Sequence, residues 1–321
     1  MKKWLCSVAG LSLALAGNVV AHAQTPAVPP PNILNIETNN IKPYQDGPYD
    51  KVASQYPALS QQLKDPTHFV AMESLTGPPR ALFLSGYDSY EALQKNEEWL
   101  LSDAATDAKF EELDARQAAN VSEIHYTIWH YRPDLSNNVA GADIPHSHYW
   151  EVIIFHMRSG HVEQFEESTK LYRDASLKSG QNVPWATYEG QMGVTDAYLV
   201  LVPMRSLKDE DTALAHQKDF GAALGAEGGA RMSKLSEESV ASVEDNIWLV
   251  NPEWSYVEKS WIDADPQYWA SGPAAKPARK HAPGGAPAPK APPAPPYVLI
   301  CAVGMARTRR WALGTRCLFN G

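Results

Sequence analysis

From residue 32 onward, apolar and polar positions alternate in short runs, and between those runs apolar residues recur every three or four positions. Alternation puts successive side chains on opposite faces of a strand, whereas a spacing near 3.6 lines one face of a helix. Residues 32–38 are therefore predicted as a strand, and Val52, Tyr56, Leu59 and Leu63 as one face of a helix. Two strands follow over residues 69–75 and 81–86, separated by the turn residues Gly77, Pro78 and Pro79. A helical region over 89–119 and a strand over 123–131 end this series. The next series has the same order: a strand over 149–157, a helix with Val162, Phe165, Thr169 and Tyr172 on one face, strands over 185–192 and 197–203, a helical region over 209–243, and a strand over 246–250. Gly225, Gly228 and Gly229 are expected to break the last helix.

The two series also match residue by residue. Phe69, Glu73, Gly77 and Ala81 fall in register with Trp185, Glu189, Gly193 and Ala197. Ile128, Trp129, Pro133, Asp134 and Ser136 fall in register with Ile247, Trp248, Pro252, Glu253 and Ser255. Recurrence of the Ile-Trp strand and its Pro-acid-x-Ser ending favours a packing role, with Trp129 and Trp248 filling equivalent core positions and the prolines ending the strands. The predicted fold class is α+β, two tandem ferredoxin-like βαββαβ repeats over residues 32–136 and 149–269, joined by a linker at 137–148. Such a unit covers one sheet face with helices and leaves the other open. The two open faces are expected to pack face to face as a pseudo-dimeric α+β barrel, and closure within the chain or with a second chain satisfies the pattern equally.

In element order and internal symmetry, residues 32–256 resemble the dimeric α+β barrel superfamily, in a form with both halves fused. That superfamily includes small monooxygenases, haem-binding enzymes and dehydratases, so the resemblance implies a fold and leaves the function open.

If the open faces meet, alternate strand residues line the space between them. One parity of the 123–131 strand offers Glu123, His125, Thr127, Trp129 and Tyr131. By the same alternation Asn35, Glu37, Phe69, Glu73, Trp185, Glu189 and Gln191 are expected inside. Glu37, Trp129, Trp185 and Gln191 are thus ligand-binding candidates. Glu73, Glu189 and His125 are candidate acid-base groups, because a buried carboxylate has a raised pKa unless paired. His146, His148 and Glu151 resemble a metal-binding cluster, but on a regular strand Glu151 faces away from His148, and no metal is predicted. For haem, which some members of the superfamily bind through a histidine, His125, His130 and His216 are candidates and none is singled out.

Composition narrows these readings. The formal net charge is −9 and the core lacks a basic bias, which disfavours nucleic acid as a partner. No phosphate-cradling glycine loop, nucleophile elbow, HExxH helix or paired CxxC occurs. Lys2 and Lys3, the apolar run over 4–16 and the small residues Ala21 and Ala23 predict a signal peptide over 1–23, followed by a linker over 24–31, and hence an exported, periplasmic or secreted protein without an integral membrane span. Of three cysteines, Cys6 falls in that segment and Cys301 and Cys317 fall beyond residue 296. Residues 270–296 are rich in proline and alanine and carry Lys276, Arg279, Lys280 and Lys290. They are expected to form a disordered basic tail suited to contact with an anionic cell envelope. Residues 297–321 read as an extension outside the folded design, with a shifted reading frame as the expected source. The function expected is binding of a small, partly apolar ligand between the sheets. The alternatives are a cofactor-independent monooxygenase-like enzyme, a haem- or metal-dependent enzyme, and an envelope-associated structural protein acting through its tail.

Overall fold

A computed structural model describes residues 29–270; the expected signal segment, basic tail and C-terminal extension lie outside them. The first half contains β1 (Ile33–Ile41), α1 (Asp46–Ala53), α2 (Tyr56–Leu63), β2 (Phe69–Ser74), β3 (Arg80–Tyr87), α3 (Tyr90–Leu101), α4 (Ala104–Ala118) and β4 (Val121–Tyr131). The second contains β5 (Tyr149–Met157), α5 (Val162–Lys178), β6 (Ala186–Met192), β7 (Ala197–Met204), α6 (Lys208–Ser239) and β8 (Val240–Val250). Two short helices, α7 (Lys259–Ala264) and α8 (Pro266–Trp269), follow. No helix of the described residues is long and apolar enough to cross a membrane.

Local chemistry explains the boundaries. Ser89 and Asp103 accept hydrogen bonds from the Ala92 and Ala105 amides and so start α3 and α4. Pro57 sits in the first turn of α2, where its missing N–H is harmless. The helix expected over 209–243 differs in two ways. Gly225 interrupts it with a positive φ of 70°, while Gly228 and Gly229 stay helical. The chain also leaves the helix at Ser239, so that Val240 and Val243 extend β8 along β5, opposite Met157 and Phe155. β-branched valines suit that pleated position.

The strands form a closed barrel in the order β1-β3-β2-β8-β5-β7-β6-β4, with every neighbour antiparallel. The expected α+β barrel is therefore present, closed into one continuous sheet within the chain. Each four-stranded half would leave two unpaired edges. Pairing β2 with β8 and β4 with β6 satisfies those edges within one chain.

Both seams continue into the Pro-acid-x-Ser segments. At one, the Arg132 amide donates to the Thr187 carbonyl, the Thr187 amide donates to Ser136 Oγ at 2.9 Å, and that hydroxyl donates to the Arg132 carbonyl at 2.7 Å. At the other, Asn251, Ala71 and Ser255 make the same three bonds, with the hydroxyl distances again 2.9 and 2.7 Å.

The interior of the barrel is apolar, with Leu34, Ile36, Met72, Leu84, Trp150, Leu199 and Leu201 packed together. Trp129 and Trp248 are both 2% exposed there, in line with their expected packing role. The helices lie outside. Phe165 of α5 and Phe220 and Met232 of α6 cover Ile153, Phe155 and Tyr198, while Tyr49 and Ala53 of α1 cover Ala71 and Ala81.

Candidate functional site at one mouth of the barrel

The interior side chains do not fill one end of the barrel. A cavity of about 630 Å³ opens there, within the range common for small-molecule sites. Leu34, Met72, Leu84, Trp150, Tyr188 and Leu201 wall it, contributed by six different strands. Pro31, His68, Lys95, Ile144 and Trp261 stand among the rim residues. The rim depends on α7 and α8, which are tied down by bonds from Trp269 Nε1 to the Pro145 carbonyl at 2.9 Å and between His148 Nε2 and Asp265 at 2.8 Å.

The cavity wall is sparing in polar groups. Trp150 Nε1 donates to the Ser147 carbonyl and Trp185 Nε1 to the Leu135 carbonyl. Thr67, Asn96 and Tyr87 form a hydrogen-bonded chain at the rim. His68 stacks on Tyr256 with ring centroids 4.6 Å apart. Tyr188 is 2% exposed, and its hydroxyl makes no hydrogen bond among the described residues. Burial, then the neighbouring Tyr131, pushes its pKa upward, so the hydroxyl keeps its proton. The opposite end of the barrel is polar. Arg80 pairs with Glu244 at 3.1 Å and lies over the Trp248 ring at 5.3 Å, and His156 is 3.5 Å from the same carboxylate.

The sequence-derived candidates divide between these places. Trp185 lines the cavity and Trp129 packs in the barrel interior. Glu123 and His125 have the expected inward parity but lie at the polar end, 3.3 Å apart and exposed. Glu37, Glu73 and Glu189 are corrected to the outer face. Glu37 stands opposite Tyr126 and Phe83, Glu73 opposite Ala81 and Leu249, and Glu189 opposite His130 and Tyr198. Asn35 shares that face, as does Phe69 by parity, although Phe69 is also among the residues lining the cavity, and Gln191 is exposed. The reason is that each carboxylate has an outside position to occupy while apolar neighbours of the other parity take the interior. Glu189 bonds Arg132 at 2.8 Å, and Glu37 bonds Asn39 at 2.6 Å and Gln117 at 3.3 Å.

The metal candidates are separated as well. His146 is bound to Asp143, whose pKa is lowered because bonds from His146 and Arg205 outweigh its burial. His148 is held by Asp265 and stacks on Tyr268 at 3.6 Å. Glu151 is buried on the outer face near Tyr172 of α5. Among the described residues, no group of three His, Cys, Asp or Glu side chains could hold a metal ion. The haem candidates do not fit either: His125 is at the wrong end of the barrel, His130 is on its exposed outer face, and His216 pairs with Asp219 on α6. A second cavity, under α5, measures about 50 Å³ and has no histidine in its wall.

Sequence reasoning missed Tyr188, Met72, Trp150, His68 and Trp261. A signal for the first two was present, since the parity of Val70 and Met72, and of Ala186 and Tyr188, is the more apolar one. Nothing in the alternation marked α7.

No family model and no curated protein matches the chain. Solved structures with a related arrangement include a protein proposed to be a monooxygenase from Lactobacillus acidophilus NCFM, with 9% identity, 68% of this chain and 93% of that chain covered, and a TM-score of 0.43. An anthrone oxidase-like protein has 11% identity, 68% and 90% coverage, and a TM-score of 0.47. Chlorite dismutase from Candidatus Nitrospira defluvii has 9% identity, 70% and 92% coverage, and a TM-score of 0.40. The class defined by this chain's own strand pairing is an α+β protein with a closed eight-stranded barrel and a cavity at one mouth.

Proposed function

We propose that this protein binds a small, largely apolar molecule in the mouth of its barrel. The observation that carries the reading is the cavity of about 630 Å³ between Leu34, Met72, Leu84, Trp150, Tyr188 and Leu201. Apolar surface left uncovered inside a barrel is stabilised by any apolar occupant that removes it from water. Glu73, Glu189 and His125 do not meet at this cavity, so binding rather than acid-base turnover is the reading supported.

The test is a fluorescence titration with the neutral apolar dye N-phenyl-1-naphthylamine, using the full chain and Ala186→Trp, whose indole would occupy the cavity. The substitution is expected to weaken binding by more than about tenfold, as loss of most buried apolar contact implies. Equal affinity in an Ala186→Trp protein of unchanged circular dichroism and melting temperature would reject the site.

The equivalent bonds of Ser136 and Ser255 support a second part of the proposal, that the core is one βαββαβ unit used twice. The charged, apolar and small-residue segments over 1–23 support export to the periplasm or beyond. N-terminal sequencing of mature protein from that compartment should begin at Gln24.

A further inference from the structure

Resting on the cavity as a binding site, we infer that its ligand is uncharged and presents a hydrogen-bond acceptor, of the ketone or ester carbonyl class, to the Tyr188 hydroxyl in its wall. Tyr188 is a buried part of the cavity wall whose hydroxyl has no partner among the described residues. Burial holds that hydroxyl in its protonated form, so it offers a donor. An apolar molecule with no acceptor leaves the donor unmatched, whereas a carbonyl restores the hydrogen bond that water gives it.

Charge excludes the obvious alternative, a carboxylate at the same place. Tyr131 packs against Tyr188 with ring centroids 5.4 Å apart, and Met72, Leu84, Trp150, Ala186 and Leu201 of the cavity wall carry no charge; the basic side chains of the lining are His68, stacked on Tyr256, and Lys95. Lys95 belongs to the rim and is already paired with Glu91 at 2.6 Å. Asp88 and Glu258 bring negative charge to the same rim. An anionic group taken to the inner wall would be desolvated without compensation.

Three dyes of one shape test this by fluorescence titration: 6-propionyl-2-(dimethylamino)naphthalene, its propyl analogue without the carbonyl oxygen, and 6-(dimethylamino)-2-naphthoate. The full chain is expected to bind the ketone about fivefold more tightly than the propyl compound, the effect of one hydrogen bond to a buried donor. It should bind the naphthoate at least about tenfold more weakly than the ketone. Tyr188→Phe should erase the preference for the ketone and bind the propyl compound at least as tightly as the full chain does, because the phenyl ring leaves no donor unmatched. A ketone preference that survives Tyr188→Phe, or a naphthoate that binds as tightly as the ketone, would overturn the inference while leaving the cavity as a binding site. Failure of all three dyes to bind would overturn the binding reading, and this inference with it.

Discussion

At the residue scale, Glu37 shows how a side chain can be conspicuous in sequence and serve another purpose. Burial on the outer face pushes its carboxyl from 4.5 up to about 7, with the Asn39 and Gln117 amides opposing that shift and the charge of Asp114 adding to it. The folded state therefore holds a proton that the unfolded chain releases at lower pH. Its contribution is complete below about pH 4.5 and is lost as pH rises through about 7, a difference on the order of 3 kcal/mol. Urea unfolding should give a lower midpoint at pH 8 than at pH 5, and Glu37→Gln should remove most of that difference. Identical slopes against pH for the two proteins would contradict this assignment. Alternation showed correctly which residues of a strand share a face, as with Glu123, His125 and Trp129. It could not say which face turns inward, because that depends on partners far away in sequence. Glu189 is the clearest case: Arg132 lies 57 residues away and bonds Asp134, Glu166 and Glu189 together on the outside. Asp134, then the two glutamates, raise the pKa of that guanidinium against its partial burial.

At the scale of elements, the repeated Pro-acid-x-Ser segments were legible as architecture, but not as the fastenings of the barrel. Their serines bond strands of the opposite half, and such pairing has no signature within either segment. Ser136→Ala or Ser255→Ala leaves a buried amide, of Thr187 or Ala71, without its acceptor. Each should cost about 1–3 kcal/mol, and the two should be roughly additive because the seams are separate. Calorimetric melting of the single and double variants checks both statements. A turn residue gives a sharper contrast. Gly193 has a φ of 75°, and a Cβ there would collide with the Tyr126 carbonyl oxygen across the β4–β6 seam. Gly180 has a φ of 80° with open space around it. Gly180→Ala should cost about 1–2 kcal/mol from backbone strain alone, and Gly193→Ala measurably more in the same melting experiment. Strand and helix order was readable throughout because both periods are local. The end of α6 was not, since the need of β5 for a full-length partner decides where β8 begins.

At the scale of the whole molecule, a ligand that binds only the closed barrel must stabilise it. A dye held at 100 times its dissociation constant should add about 2.7 kcal/mol to unfolding, seen as a higher melting temperature that Ala186→Trp abolishes. The sequence left closure within the chain and closure between chains equally open, because an edge strand pairs in the same way with either partner. The chain connection over residues 132–148 lets β4 reach β6 and β8 reach β2 in the structure observed. That arrangement has a consequence for assembly. Each half presents two edges that recognise the other half without regard to whose chain supplies it, and both seams join residues remote in sequence, which makes their formation slow. In dilute solution, the tethered half is always the nearer one. When refolded at protein concentrations that rival the tether's effective concentration, on the order of millimolar, two chains should trade halves and form a dimer with native circular dichroism. Light scattering after chromatography would detect it, and a strictly monomeric product at every concentration would mean that the tether alone decides partnership. One chain would then have made permanent what two separate halves could only do by meeting.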